Sequence, residues 1–427
     1  MKFKRFDLKQ GYYTFATVLI VLLFFPFMNC LGQSKSPGYI NPTPGRISIM
    51  ACSPVSEGMT PTHSSYKDVV DCGFNLMTQM ASADFFKTQF KLIGDLDLKC
   101  IVSNPLLRTS EYVWLVDALK DSPYLAGWLL MDEPSFDYLT ELREHYFDLY
   151  NRDPDHLILI NLVGVLQKTY AGNIKSLSSY YNYIQNLFQP SVWSYDFYPI
   201  IKENGKINVK YDDFYNDLEI FSKLSQKTQR PFWAFCESME YKTNWYSRPA
   251  ATEAYLSFEA FSALAYGAQG IVYWTYGMRK SNDIETYMSA LIDSKGNKLP
   301  AWYAARKVNR AIQKYNDVFY ECKVLQVRHT GTKIYRGTKR LSGRFGPLKM
   351  IRNEDSGVLV SLIENGGKTY VVIVNHDVLN PQNITLELSP NKKVKDITSF
   401  SANIYNWRED INVTLEKGGF IILQEIN

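Results

Sequence analysis

The stretch Leu125-Ala-Gly-Trp-Leu-Leu-Met131, followed at once by Asp132-Glu133-Pro134, decides the fold. It is apolar without alternation, has strand length, and stops at a polar turn, so it reads as a strand covered on both faces. The same unit recurs on either side of it: Arg46 to Cys52, Phe74 to Met80, Lys99 to Asn104, Leu157 to Val163, Val192 to Tyr198, Pro231 to Cys236 and Gly270 to Thr275. Between these runs, apolar residues return every three or four positions, as in Glu111 to Lys120, Tyr138 to Asn151, Tyr211 to Gln226 and Thr252 to Tyr266, with a last helix expected over Ala301 to Tyr320. Eight strands alternating with helices over residues 46 to 320 specify a parallel sheet, and eight repeats close it into a (β/α)₈ barrel. An open doubly wound sheet is the rival arrangement.

Beyond Tyr320 the texture changes. Short apolar runs are separated by turn signals: Gly357 to Ile363, the turn Asn365-Gly366-Gly367, Lys368 to Val374, Asn383 to Leu388, Ile411 to Leu415 and Phe420 to Gln424. No helical period appears, so residues 321 to 427 are expected to form an antiparallel β-sandwich, with Lys339 to Lys349 a loop inside it.

At the other end, a basic stretch from Lys2 to Lys9 precedes an apolar run from Phe15 to Met28. That run is shorter than the ~20 residues a spanning helix needs, and Pro26 breaks it. Residues 1 to 30 therefore read as an export signal, and 31 to 45 as a linker. Cys30 stands where a bacterial lipoprotein would be acylated and so tethered to a membrane, although Phe27-Met28-Asn29 makes a poor small-residue lipobox. Plain secretion is the alternative. Either way the expected destination is the periplasm, the outer membrane or the cell surface of a bacterium.

The composition suits a globular protein: 427 residues, 46% apolar and 21% charged, with a net charge of only +4. Disorder and an electrostatic nucleic-acid binder are both disfavoured. Cys52, Cys72, Cys100, Cys236 and Cys322 show no CxxC spacing and read as buried thiols, one disulfide being the alternative. His63, His145, His156, His329 and His376 are scattered, so neither a metal nor an organic cofactor is implied. Nucleotide, dinucleotide and serine-esterase motifs are missing. The 15% aromatic content suits stacking on sugar rings, though most such residues belong to the core.

Barrel enzymes place their chemistry where strands run into the following loops. Two strands end on glutamate there: the fourth in Asp132-Glu133-Pro134, the seventh in Cys236-Glu237-Ser238. Across a closed barrel these ends face each other. Glycosidic cleavage needs such a pair, one acid to protonate the leaving oxygen and one carboxylate to attack the anomeric carbon. Each residue also has a structural reading. Glu133 before proline suits a helix N-terminus, Asn161 can cap a loop as well as bond substrate, Asp196 can be a polar residue of a barrel layer, and Tyr198-Pro199 can simply end its strand. Trp128 and Trp233 read as structural, and Arg279 to Glu285 as a solvated loop, reach of its Lys, Asp and Glu to substrate being the alternative.

A carboxylate after strand four, a second after strand seven and Trp274 on strand eight resemble the pattern of clan A glycoside hydrolases, which are retaining barrel enzymes. The segment Leu291 to Pro300, followed by Ala301-Trp-Tyr-Ala-Ala-Arg-Lys-Val-Asn309, is similar to the one after strand eight in family 42 type β-galactosidases, in which an added β-sandwich is also usual. The resemblance implies a carbohydrate substrate, Glu133 as acid/base, Glu237 as nucleophile, Tyr195 or Tyr198 supporting the nucleophile, and Trp274 as the floor of the sugar subsite. It also implies a departure. The clan places Asn before the acid/base, where its amide bonds the sugar hydroxyl next to the anomeric carbon; Asp132 can only accept there. A glycan-binding protein on an inactive barrel is therefore the second reading.

Overall fold

Strand eight starts at Gly270, directly against the ring of Trp233. A Cβ on Gly270 would lie 2.4 Å from that indole, so only glycine lets strands seven and eight approach there. In the computed structural model, which describes residues 38–164, 177–353 and 357–426, eight parallel strands close a barrel. In chain order they are Ser48–Cys52, Leu76–Met80, Lys99–Ser103, Leu125–Asp132, Leu157–Val163, Trp193–Asp196, Phe232–Glu237 and Gly270–Trp274. Strand one pairs with strand eight from Ser48 opposite Gly270 onward, which completes the ring. The open-sheet rival is thereby excluded. The expected export segment and Cys30 lie outside the described residues.

The unalternating strands are explained by two cores. Met50, Leu76, Ile101, Ala126, Leu157, Leu159, Trp233, Phe235 and Val272 fill the barrel, while the residues between them face the helices. Trp128 points outward and donates its Nε1–H to Asp153 at 2.7 Å, a structural role as expected. Residues 38–45 pack beneath the barrel: Tyr39 joins the inner core and the Thr43 hydroxyl meets that of Ser48 at 2.8 Å. The expected last helix breaks at Tyr315 into Pro300–Lys314 and Asn316–Phe319.

Residues from Lys323 onward form two antiparallel sheets. The larger has six strands, in the order Lys323–His329, Val358–Asn365, Lys368–Asn375, Phe420–Ile426, Lys393–Asp396 and Ile404–Asn406. The smaller has three: Leu348–Asn353, Gln382–Leu388 and Ile411–Leu415. Leu359, Ile363, Val372 and Val374 turn toward the barrel helices, whereas Val358, Val360, Val371 and Ile373 turn toward the second sheet. Burial on both faces is why these strands are continuously apolar. The Ser361 hydroxyl bonds the Ala265 carbonyl at 2.6 Å, fastening the larger sheet to helix Glu253–Ala265. Cys52, Cys72, Cys100, Cys236 and Cys322 carry free thiols, the first four of them buried.

One layer has no counterpart in the sequence reading. The loops after strands six, seven and eight form a five-stranded cap, in the order Thr286–Ser289, Glu240–Lys242, Ser247–Arg248, Ile200–Glu203 and Lys206–Val209. These strands are two to four residues long, below the length at which alternation can be read.

Candidate active site

The fourth strand carries a β-bulge between Leu129 and Met131, which re-aims its end so that Asp132 lies opposite Asn161 of strand five. Beyond it, Glu133 adopts a left-handed φ of 44° with its N–H bonded to the Asn161 carbonyl at 2.9 Å. Such a conformation costs a non-glycine residue about 1 kcal/mol or more and clusters at functional sites. The Asn161 amide nitrogen donates to Asp132 Oδ1 at 2.9 Å and to Asp196 Oδ1 at 3.0 Å, while its oxygen accepts from the Ser194 hydroxyl at 2.8 Å. One amide thus ties together carboxylates from strands four and six.

Asp132 opens into the cleft, yet surrounding protein still raises its carboxyl above the usual range, against the pull of the Asn161 amide and Arg279. Asp196 is pushed well above that range, first by burial and then by the charges of Glu133 and Asp132. Glu133 also hydrogen-bonds Asp196 through its side chain. In this crowd of three carboxyl groups, each ionisation opposes the next.

Glu237 closes strand seven, in register with Trp274 of strand eight. Its side chain is 5% exposed. Oε1 accepts the Met239 N–H at 3.1 Å, and Oε2 stands 3.8 Å from Arg248 Nε. Burial pushes the Glu237 carboxyl up to about 8, with Arg248 and the Met239 N–H drawing it down and Glu285 adding to the rise. Arg248 comes from the cap. Its guanidinium bonds the carbonyls of Tyr198 and Ile200 and lies 5.7 Å from the Tyr198 ring centroid and 5.1 Å from that of Tyr246. The cation that faces Glu237 is therefore held by the loop after strand six.

A cleft of about 690 Å³ opens at this end of the barrel. Asp132, Glu133, Asn161, Tyr198 and Trp274 of the expected residues line it. Glu237 stands behind that wall, against Arg248, which does line it. Tyr198 and Trp274 pack with ring centroids 6.1 Å apart, and Trp274 is flanked by Tyr241 and Tyr287. Tyr195 is a correction: it faces the helices, stacked on Phe221 at 3.9 Å, because side chains alternate along strand six and Asp196 takes the inward position. Asp196, Tyr241, Trp245 and Arg248 line the cleft without having been singled out as binding residues, and Glu285 lines it too. Glu285 ends the stretch expected to be a solvated loop and accepts from the Tyr287 hydroxyl. Strand parity could have found Asp196. Nothing local marks the others, which the cap brings in.

The chain's likenesses agree with this architecture. A family model described as β-galactosidase, glycoside hydrolase family 42, matches residues 167–315. Among solved structures, a catalytic mutant of a family 42 β-galactosidase from G. stearothermophilus is 11% identical, with a TM-score of 0.60 over 91% of this chain and 99% of that one. A β-galactosidase from Bacillus circulans sp. alkalophilus is 10% identical at a TM-score of 0.58, covering 91% of this chain and 100% of that one. A family 5 glycoside hydrolase from Bacteroides vulgatus is 11% identical at 0.52, covering 89% and 88%. No curated protein matches the sequence. At these identities the structural likeness speaks for the fold alone. In fold across the barrel and sandwich, and in sequence over the matched segment, the chain is distantly similar to the family 42 type β-galactosidases of the clan A glycoside hydrolases.

Proposed function

We propose that the chain is an exported bacterial glycosidase that cleaves β-linked oligo- or polysaccharides, β-galactosides first among them, with retention of configuration. The observation that carries the reading is that strands four and seven run out at Glu133 and Glu237 at the same mouth of the barrel, beside an aromatic-walled cleft that Glu133 lines. In this mechanism Glu237 attacks the anomeric carbon while Glu133 protonates the leaving oxygen; water, deprotonated by Glu133, then hydrolyses the ester. Retention calls for carboxyl groups about 5 to 5.5 Å apart. Asp132 would accept from the sugar hydroxyl next to the anomeric carbon, and Trp274 would carry the ring. The matched family model and the β-galactosidase folds support a carbohydrate substrate. The basic and apolar run before Cys30 supports export, with lipidation at that cysteine as the means of membrane attachment.

A second reading, glycan binding without turnover, is favoured by one feature: Asp132 stands directly before Glu133, where it can accept from a sugar hydroxyl but donate no amide proton to it. Para-nitrophenyl β-galactoside separates the two readings. The glycosidase reading expects turnover that Glu237→Gln lowers by about a thousandfold or more. Tight glycan binding with no product release selects the second reading. For Glu133→Ala, activated aryl substrates should outlast natural disaccharides, since a good leaving group needs no proton. Equal losses on both would remove Glu133 from the acid's role.

A further inference from the structure

Helix Glu253–Ala265 follows strand seven and is buried from Leu256 to its end. Within that buried stretch stands one acid, Glu259, only 2% exposed. Its Oε2 accepts the backbone N–H of Glu237 at 2.8 Å. Its Oε1 is buried with no hydrogen-bond partner among the described residues, as is Glu237 Oε2. A buried carboxylate without a matching cation is expensive, and the helix could have carried an apolar residue there instead. Arg248, 3.8 Å from Glu237, also acts on Glu259, and one guanidinium neutralises one carboxylate.

We propose that Glu259 is the positioning residue of the candidate nucleophile: held as the neutral acid with its proton on Oε1, it anchors the Glu237 main chain and leaves the charge of Arg248 to Glu237. The inference rests on the glycosidase reading for its kinetic consequences but not for its protonation state. The other titratable groups at this position are consistent with a neutral Glu259. The Cys236 thiol and the Tyr273 hydroxyl can ionise only to anions and are both raised well above their ordinary values by burial, so neither balances a carboxylate there. Burial likewise drives Glu259 well above the carboxylate range, with the Glu237 N–H and Arg248 opposing and the Glu237 charge adding to the rise. Gln at this position preserves both the shape and the neutral state of the protonated acid, together with its acceptor for the Glu237 N–H; Ala preserves none of them.

The test combines two readouts on the full chain. In the infrared difference between wild type and E259Q at neutral pH, a protonated-carboxyl band present only in the wild type is expected; ionised-carboxylate bands in its place would overturn the proposal. With para-nitrophenyl β-galactoside, E259Q should keep kcat within about threefold and leave the acid limb of the kcat/KM profile unmoved, whereas E259A should lower kcat by about tenfold or more with KM nearly unchanged. An E259Q protein as impaired as E259A, or an E259A protein as active as wild type, would refute the positioning role. If E259A fails to fold, the two E259Q readouts still decide. A wild type that hydrolyses no aryl glycoside would defeat the glycosidase reading, while the infrared result would still settle the state of Glu259.

Discussion

Single residues govern the charge balance of the mouth. If Glu237 attacks as a carboxylate, a carboxyl raised to about 8 makes the free enzyme gain activity as pH rises toward that value and lose it below. A pH profile of kcat/KM checks this, and an acid limb near the ordinary carboxylate value of about 4.3 would contradict it. Replacing Arg248 with Met removes the facing cation and should move that limb further toward alkaline pH. Asn161 is the other hinge, since its amide bonds two acids at once. Asn161→Ala leaves those acceptors unpaired and should cost about 1–3 kcal/mol in denaturant unfolding. The positions of Glu133 and Glu237 at the barrel mouth were legible because each stands where a strongly apolar strand gives way to a polar turn. Tyr195 misled because a tyrosine near a strand end looks the same on either face until register is known. Arg248 sits in a two-residue strand that only its partners define.

At the scale of elements, most strand and helix positions were readable from periodicity, and the sandwich strands stood out because the larger sheet is covered on both faces. The cap was not readable. Its strands are held by pairing with one another across loops distant in sequence, as in Glu240 with Ser289 and Ser247 with Lys202. The bulge at Leu129–Met131 was equally hidden, since an extra residue inside an apolar run leaves no mark in composition. Gly270 supplies a test of barrel closure. Alanine there must displace the Trp233 ring or separate strands seven and eight, and overpacking of this kind costs about 1–3 kcal/mol. A Gly270→Ala protein as stable as wild type in urea unfolding would show that the contact tolerates a methyl group.

In the whole molecule, barrel and sandwich share one continuous apolar layer, and within it His329 and His376 stack with ring centroids 5.2 Å apart. His329 bonds the Tyr266 hydroxyl at 2.9 Å and His376 at 3.1 Å, and Tyr266 in turn donates to Glu219. Burial, then the neighbouring His376, holds His329 well below its ordinary value. The unfolded chain therefore takes up a proton at about pH 6.5 that the folded chain refuses, so the contribution of this residue to stability is full above that pH and is lost below it. The difference in urea midpoint between wild type and His329→Asn should change between about pH 8 and 5.5, with wild type losing ground to the variant as pH falls; a difference that does not vary with pH would contradict the assignment. At this scale the sequence revealed two architectures joined near residue 320 but not the histidine pair, whose members lie 47 positions apart. The joining of distant segments is also the central claim for function, and a covalent trap tests it most directly. Incubation with a deoxyfluoro β-galactosyl fluoride, followed by peptide mass spectrometry, should place one glycosyl group on Glu237. Turnover of β-galactosides with no adduct, or with an adduct on another residue, would contradict the account.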